Sequence, residues 1–343
     1  MTMFFRRMTV VFLSVLCLIL CCSCQTSPTE DPLIPNNASD FDYDILEKDG
    51  ERKIRLIRYK GERTDVVIPD TIEGLPVRIL LGVTAQNDNG YTGVEQGVFE
   101  DTAIESVYIP SSVSSLGIAT FAHCTKLGKV EFAKGCDITA LSSRVFEGCT
   151  ALTHIDLSPL TKLKGTYYSF RDCTSLKEII FPEGMTVIDD GSFLNCSALQ
   201  SLYLPDSLEE IVKNAFKGCI GIESISIGKN LRLFEPGFST VIFNSPSLKH
   251  ITFREGRESL DGYALVAISS PVSVEVPASV NAVSGNTFFN YSTMTVTFAG
   301  DCPEMKSDEW LGNVIVRYDP DMMGWDNCEW SAKKGTLTLE PIK

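Results

Sequence analysis

Histidine is nearly missing from this 343-residue chain: there are three, His123, His154 and His250, scattered along the sequence. Acid–base chemistry at neutral pH and most transition-metal sites draw on that residue, so its scarcity weighs against both. Basic charge is also short. Thirty lysines and arginines face 44 acids, a formal charge of −14. Nucleic acid and anionic lipid surfaces need a basic footprint, so neither is an expected partner. No G-x-S-x-G, H-E-x-x-H or P-loop string occurs, and neither an enzyme nor a cofactor is expected. The helical period of 3.6 is absent from the middle of the chain. After residue 20 no apolar run reaches the roughly 18 residues that span a bilayer.

The one long apolar run, Met8 to Leu20, follows Arg6 and Arg7 and is short enough to be a signal-peptide core. It ends in Leu20-Cys-Cys-Ser-Cys24, which resembles a bacterial lipoprotein signal. Ser23 supplies the small residue before Cys24, the expected lipidation site, with Cys22 as the rival. Residues 1–23 would then be removed, leaving a net charge of −16 because two arginines and no acid go with them. Residues 24–40, rich in Pro, Ser, Asn and acid, read as a flexible tether.

What the chain has is a repeat. Phe121-Ala-His-Cys124-Thr-Lys-Leu127-Gly-Lys-Val130-Glu-Phe132 returns as Phe146-Glu-Gly-Cys149-Thr-Ala-Leu152-Thr-His-Ile155-Asp-Leu157, and again from Phe170, Phe193 and Phe216. One aliphatic column runs Val107, Val130, Ile155, Ile179, Leu202, Ile225, Ile251, Val274 and Val296, at spacings of 22 to 26 residues. That period predicts a leucine-rich-repeat solenoid whose turns each add one short strand to a parallel β-sheet. Alternation within Glu178-Ile-Ile-Phe181 puts Ile179 and Phe181 inside and Ile180 outside. Pro69, Pro110, Pro182, Pro205 and Pro277 stop the strands. The back of each turn, without period, is expected to be irregular or briefly helical. Residues 41–81 read as an N-terminal β cap and first rung, with turns at Asp49-Gly50 and Lys60-Gly61. Residues 82–98 read as an inserted loop, 99–300 as the repeats, and 301–343, holding all three tryptophans, as an aromatic-rich C-terminal cap.

Twelve cysteines obey the same logic. Four lie in the signal, and Cys124, Cys149, Cys173, Cys196 and Cys219 each stand three residues after a repeat phenylalanine. Stacked about 5 Å apart and pointing one way into the core, they should be space-filling thiols rather than disulfides or ligands that could wrap a metal. Cys302 and Cys328, outside the repeats with Cys136, are the candidate disulfide.

The repeated aF-x-x-C-t-x-L-x-x-I-x-I-P turn, introduced by Gly61-Glu-Arg-Thr64-Asp65-Val-Val-Ile68-Pro69-Asp-Thr-Ile-Glu-Gly74-Leu-Pro76-Val77, resembles the BspA-type leucine-rich repeat proteins over about residues 41–330. The resemblance implies a bacterial cell-surface or outer-membrane lipoprotein, and some relatives are adhesins. The outward strand positions form the one extended candidate site: Tyr108, Glu131, Asp156, Ile180 and Tyr203, continued by Ser226 and Thr252. Tyr and Ile are unusual choices for a solvated row and are favoured where surfaces meet. His154, Asp156 and Glu131 could gather on this face as a metal mimic. Two functions are open: surface recognition of a protein or glycan, or a structural role as an accessory lipoprotein of an envelope complex.

Overall fold

A computed structural model describes residues 33–86, 92–232, 245–260, 271–284, 287, 292–307, 310–328, 330 and 332–342. The signal, Cys24, Phe243 and Phe288 lie outside these residues. The chain forms two units, Met1–Ile34 and Pro35–Lys343. The second unit is a β-solenoid of about ten turns with repeats of about 23 residues.

Each turn contributes to two ladders. The front ladder is made of parallel strands in three hydrogen-bonded blocks. Asp65–Val67, Ser106–Ile109 and Lys129–Phe132 form the first. His154–Asp156 and Glu178–Ile180 form the second. The third runs from Ser201–Tyr203 through Ser224–Ile227, His250–Phe253, Val272–Val276, Thr293–Phe298 and Trp310–Tyr318 to Ala332–Pro341. Neighbouring blocks are in contact. The aliphatic column stays in register, so Val66, Val107 and Val130 are direct partners, as are Ile225, Ile251 and Val274.

The back differs from expectation. Instead of irregular or helical turns it carries a second parallel ladder, mostly of two-residue strands: Ser115–Leu116, Ala140–Leu141 and Gly165–Thr166, then Val187–Ile188 with Glu210–Ile211. Among the described residues there is no α-helix; 3-10 turns stand at Ala38–Asp40 and Trp325–Asn327. With one residue inward and one outward, a two-residue strand leaves no alternation for a sequence pattern to show.

Three boundaries also move. The expected tether is already docked at its end: Asn36 is buried and exchanges two hydrogen bonds of 2.9 Å with Val67. Inside the expected loop, Val83–Gln86 pairs antiparallel with Thr92–Gln96. In the expected cap, Trp310–Tyr318 and Ala332–Pro341 add two more rungs, with Val296, Val316 and Leu339 in one row. The N-terminal cap has its expected turn at Asp49-Gly50, between Phe41–Lys48 and Glu51–Tyr59.

The core is a row of thin slices, and six successive turns each contribute one phenylalanine to a continuous stack. Phe99, Phe121, Phe146, Phe170, Phe193 and Phe216 stack face to face with centroids 5.0 to 5.3 Å apart. Tyr59 caps the stack at 5.2 Å from Phe99. At the other end Trp325 packs on Phe298, Tyr318 and Trp330 and donates its Nε1–H to the Gly300 carbonyl at 3.0 Å. This closes an apolar slice that would otherwise be open.

Candidate functional site

Strand alternation turns two columns of side chains outward on the front ladder. One column starts at Val67, which is itself buried, and holds Tyr108 and Glu131, then Asp156 and Ile180, then Tyr203, Ser226, Thr252, Glu275 and Thr297. The other holds Asp65, Ser106 and Lys129, then His154 and Glu178, then Ser201, Ser224, His250, Ser273 and Thr295.

All five candidate residues stand in the first column. Tyr108 and Glu131 are direct strand partners, as are Asp156 and Ile180. Their surroundings separate them. Tyr108 is half-buried, and its hydroxyl pKa is raised by that burial and then by the negative charge of Asp70. Glu131 is tied to Lys129 at 2.9 Å, and Asp156 accepts a 2.8 Å bond from the Ser158 amide. Ile180 and Tyr203 stand out, 40% and 55% exposed. The suggested gathering of His154 with Asp156 and Glu131 does not form. His154 instead faces Glu178 at 3.4 Å, one rung along its own column. Among the described residues no group of three or more His, Cys, Asp and Glu side chains is placed to hold a metal.

Sequence reasoning missed Arg254. Its guanidinium carbon sits 4.2 Å from the centre of the Tyr203 ring, and Nη1 donates to the Tyr203 hydroxyl. Nη2 also donates to the Leu204 carbonyl at 2.7 Å and meets Asp206 at 2.8 Å. Arg254 reaches back across a whole rung, about 10 Å at the strand spacing, and that rung is small there: Ser226 and the buried Gly228. A Cβ at Gly228 would stand 2.4 Å from the Pro205 carbonyl oxygen. The one trace of it in the sequence is an Arg just past a strand end with a glycine one turn earlier, and neither residue by itself marks the contact. Arg254 fixes the ring, so Tyr203 is a held aromatic platform, with cation–π attraction adding to the hydrogen bonds.

Beyond Tyr203 the face is dominated by hydroxyls: Ser201, Ser224, Ser226, Thr252, Ser273, Thr295 and Thr297. Before it lie the acids Asp65, Glu131, Asp156 and Glu178. The result is a flat strip with an apolar centre, an acidic side and a hydroxyl side. Its chemistry is contact and hydrogen bonding over many rungs. A separate open cleft of about 350 Å³ lies beside the antiparallel hairpin, lined by Arg58, Val83, Glu95, Gln96, Glu100 and Asp101.

Residues 92–223 and 192–310 match the family model described as BspA type leucine rich repeat region, in six copies. The chain belongs to the BspA-type leucine-rich repeat family. The family is one of typically non-catalytic repeat proteins. No curated protein matches. Among solved structures, the chain is similar to the leucine-rich repeat protein of T. pallidum at 20% identity, over 77% of this chain and 86% of that one, with a TM-score of 0.39. A leucine-rich repeat protein from Bacteroides ovatus is 17% identical over 91% and 100% of the two chains, TM-score 0.41. The pneumococcal vaccine antigen PcpA is 14% identical over 90% and 88%, TM-score 0.42.

Proposed function

We propose that this BspA-type protein is a recognition protein of the bacterial cell envelope, surface-exposed and held to the outer membrane by a lipid on Cys24. It binds a protein or glycan ligand through the front strip. The observation that carries the reading is the adjacent pair Ile180 and Tyr203, exposed in mid-strip with Tyr203 immobilised by Arg254. A rigid, exposed aromatic beside an apolar residue loses little conformational entropy on binding, and Tyr is enriched at interfaces. A repeat solenoid multiplies such weak contacts along one continuous surface. The net charge of −16 left once residues 1–23 are removed argues for a ligand that is neutral or basic.

The test is binding of the soluble unit, residues 35–343, to arrays of host matrix proteins and glycans and to isolated envelope components. The reading expects one saturable ligand whose affinity falls at least about tenfold in the Ile180→Ser/Tyr203→Ser double variant. A ligand indifferent to that change would move the site elsewhere, for example to the cleft at Arg58. Intact mass of the mature N-terminus tests the anchor: a diacylglyceryl group on Cys24 is expected, and one on Cys22, or none, refutes it.

A further inference from the structure

The described cysteines occupy two kinds of environment. In the repeats, each column thiol donates to the carbonyl of the phenylalanine one turn back: Cys149 to Phe121, Cys173 to Phe146, Cys196 to Phe170 and Cys219 to Phe193, at 3.0 to 3.1 Å. These thiols are buried, each engaged with backbone. Cys302 and Cys328 differ on both counts. Both are half-exposed thiols packed at the margin of the terminal slice. The nearest carbonyl contact of the Cys302 sulfur is its own neighbour Pro303, at 3.9 Å.

Backbone geometry brings the two together. The Cys302 amide donates to the Met323 carbonyl at 2.9 Å, and the Met323 amide donates to Asp301 at 2.9 Å. These two bonds clamp the segment before Cys302 against Met323-Gly324. A Cβ at Gly324 would come within 3.2 Å of the Cys302 Cβ, and φ is +84° there, so glycine both permits the turn and leaves the approach open. The 3-10 turn Trp325–Asn327 then ends at Cys328, four residues past Gly324, and the Cys328 thiol lies beside that of Cys302.

We propose that Cys302 and Cys328 are joined by a disulfide that locks the last rungs of the solenoid. The oxidant is a protein or small-molecule disulfide of an oxidising compartment. One cysteine, as thiolate, attacks it, forming a mixed disulfide and releasing one oxidant thiol. The second cysteine, deprotonated in turn, displaces the other oxidant sulfur. The S302–S328 bond forms, two electrons pass to the oxidant, and it leaves as two thiols after taking up the two protons. The loop so closed contains the strand Trp310–Tyr318 and the Trp325 plug, the end of the fold that frays first. Burial, with the Cys328 thiol beside it, pushes Cys302 up to about 12, which makes Cys302 the slower attacking thiol and the poorer leaving group of the pair.

The test equilibrates the full chain with reduced and oxidised glutathione, alkylates it while folded and maps the peptides without reduction. A peptide joining 302 to 328 is expected, gaining two hydrogens on reduction, while Cys149, Cys173 and Cys196 remain unalkylated. Reduction should then speed amide exchange at least about tenfold in 310–318 and leave the strands from Ser106 to Ile227 unchanged. Free thiols at both positions while the column thiols stay masked, or pairing of either with another cysteine, would overturn the proposal.

Discussion

Each of the five column thiols does two jobs at one position: it fills the slice and satisfies a carbonyl of the previous turn. Replacing Cys173 by Ala removes the sulfur and the 3.0 Å bond to Phe146. The expected cost is about 1–2 kcal/mol, read from the urea midpoint. The same burial makes stability sensitive to alkaline pH. Cys173 is pushed up to about 12 and Cys124 to about 11 by desolvation, against an ordinary value of 9.0. Below that ordinary value both folded and unfolded chains hold the proton. Above it the unfolded chain sheds protons that the folded chain keeps, so stability falls as pH rises from 9 toward 11. Each thiol contributes roughly 1.4 kcal/mol per pH unit to that fall. Unfolding midpoints at pH 7, 9 and 10 should show the decline, and it should be shallower in Cys173→Ala. Parallel profiles for the two proteins would disprove the attribution.

Within a turn, the stacked phenylalanine is flanked by two left-handed residues. Two positions after it stand Asp101, His123, Gly148, Asp172, Asn195 and Gly218, and two before it Ala119, Arg144, Tyr168, Gly191 and Asn214, all at φ between +48° and +83°. Only Gly adopts this region freely, with Asn and Asp next. Asn195 is exposed, so its backbone can be tested apart from packing. Asn195→Gly should be nearly neutral despite losing a 2.7 Å bond to Asp172, whereas Asn195→Val should cost about 1–3 kcal/mol in thermal or urea unfolding. Equal stability of the two variants would show that the turn does not demand φ > 0. These positions explain what was legible in the sequence. Phenylalanine, cysteine and the aliphatic column repeat in residue type, because each fills the same volume in every slice. The left-handed corners repeat only in backbone angle, and Asp, His, Gly, Asn, Ala, Arg and Tyr all occupy them. Tyr203 was legible as an outward residue from alternation. Arg254, 51 residues on, was not, since its reach depends on how small Ser226 and Gly228 are in three dimensions.

Because each slice touches only its neighbours, the folded unit should behave as a one-dimensional array in which a rung is a removable part. Phe146 and Phe170 are 24 residues apart and stack at 5.3 Å. Deleting residues 147–170 joins Phe146 to Arg171-Asp172-Cys173. The left-handed corner passes from Gly148 to Asp172, and the thiol from Cys149 to Cys173. The front strand Lys129–Phe132 then meets Glu178–Ile180, and on the back Ala140–Leu141 meets Val187–Ile188. The buried Glu147 leaves together with the ion pairs it makes to Arg144 and Arg171, two half-exposed groups that water can solvate. Every inward column is preserved, so the shortened chain should keep a β-rich circular dichroism spectrum and a cooperative melt, with a lower midpoint. Deleting only 147–158 removes half a turn and places Pro159-Leu160 where Glu147-Gly148 stood, so inward and outward positions no longer agree from rung to rung. That variant should lose its cooperative transition and bind a hydrophobic dye. If both deletions unfold the protein, the slices are not independent; if both fold, the register of the columns is not what holds the turns together.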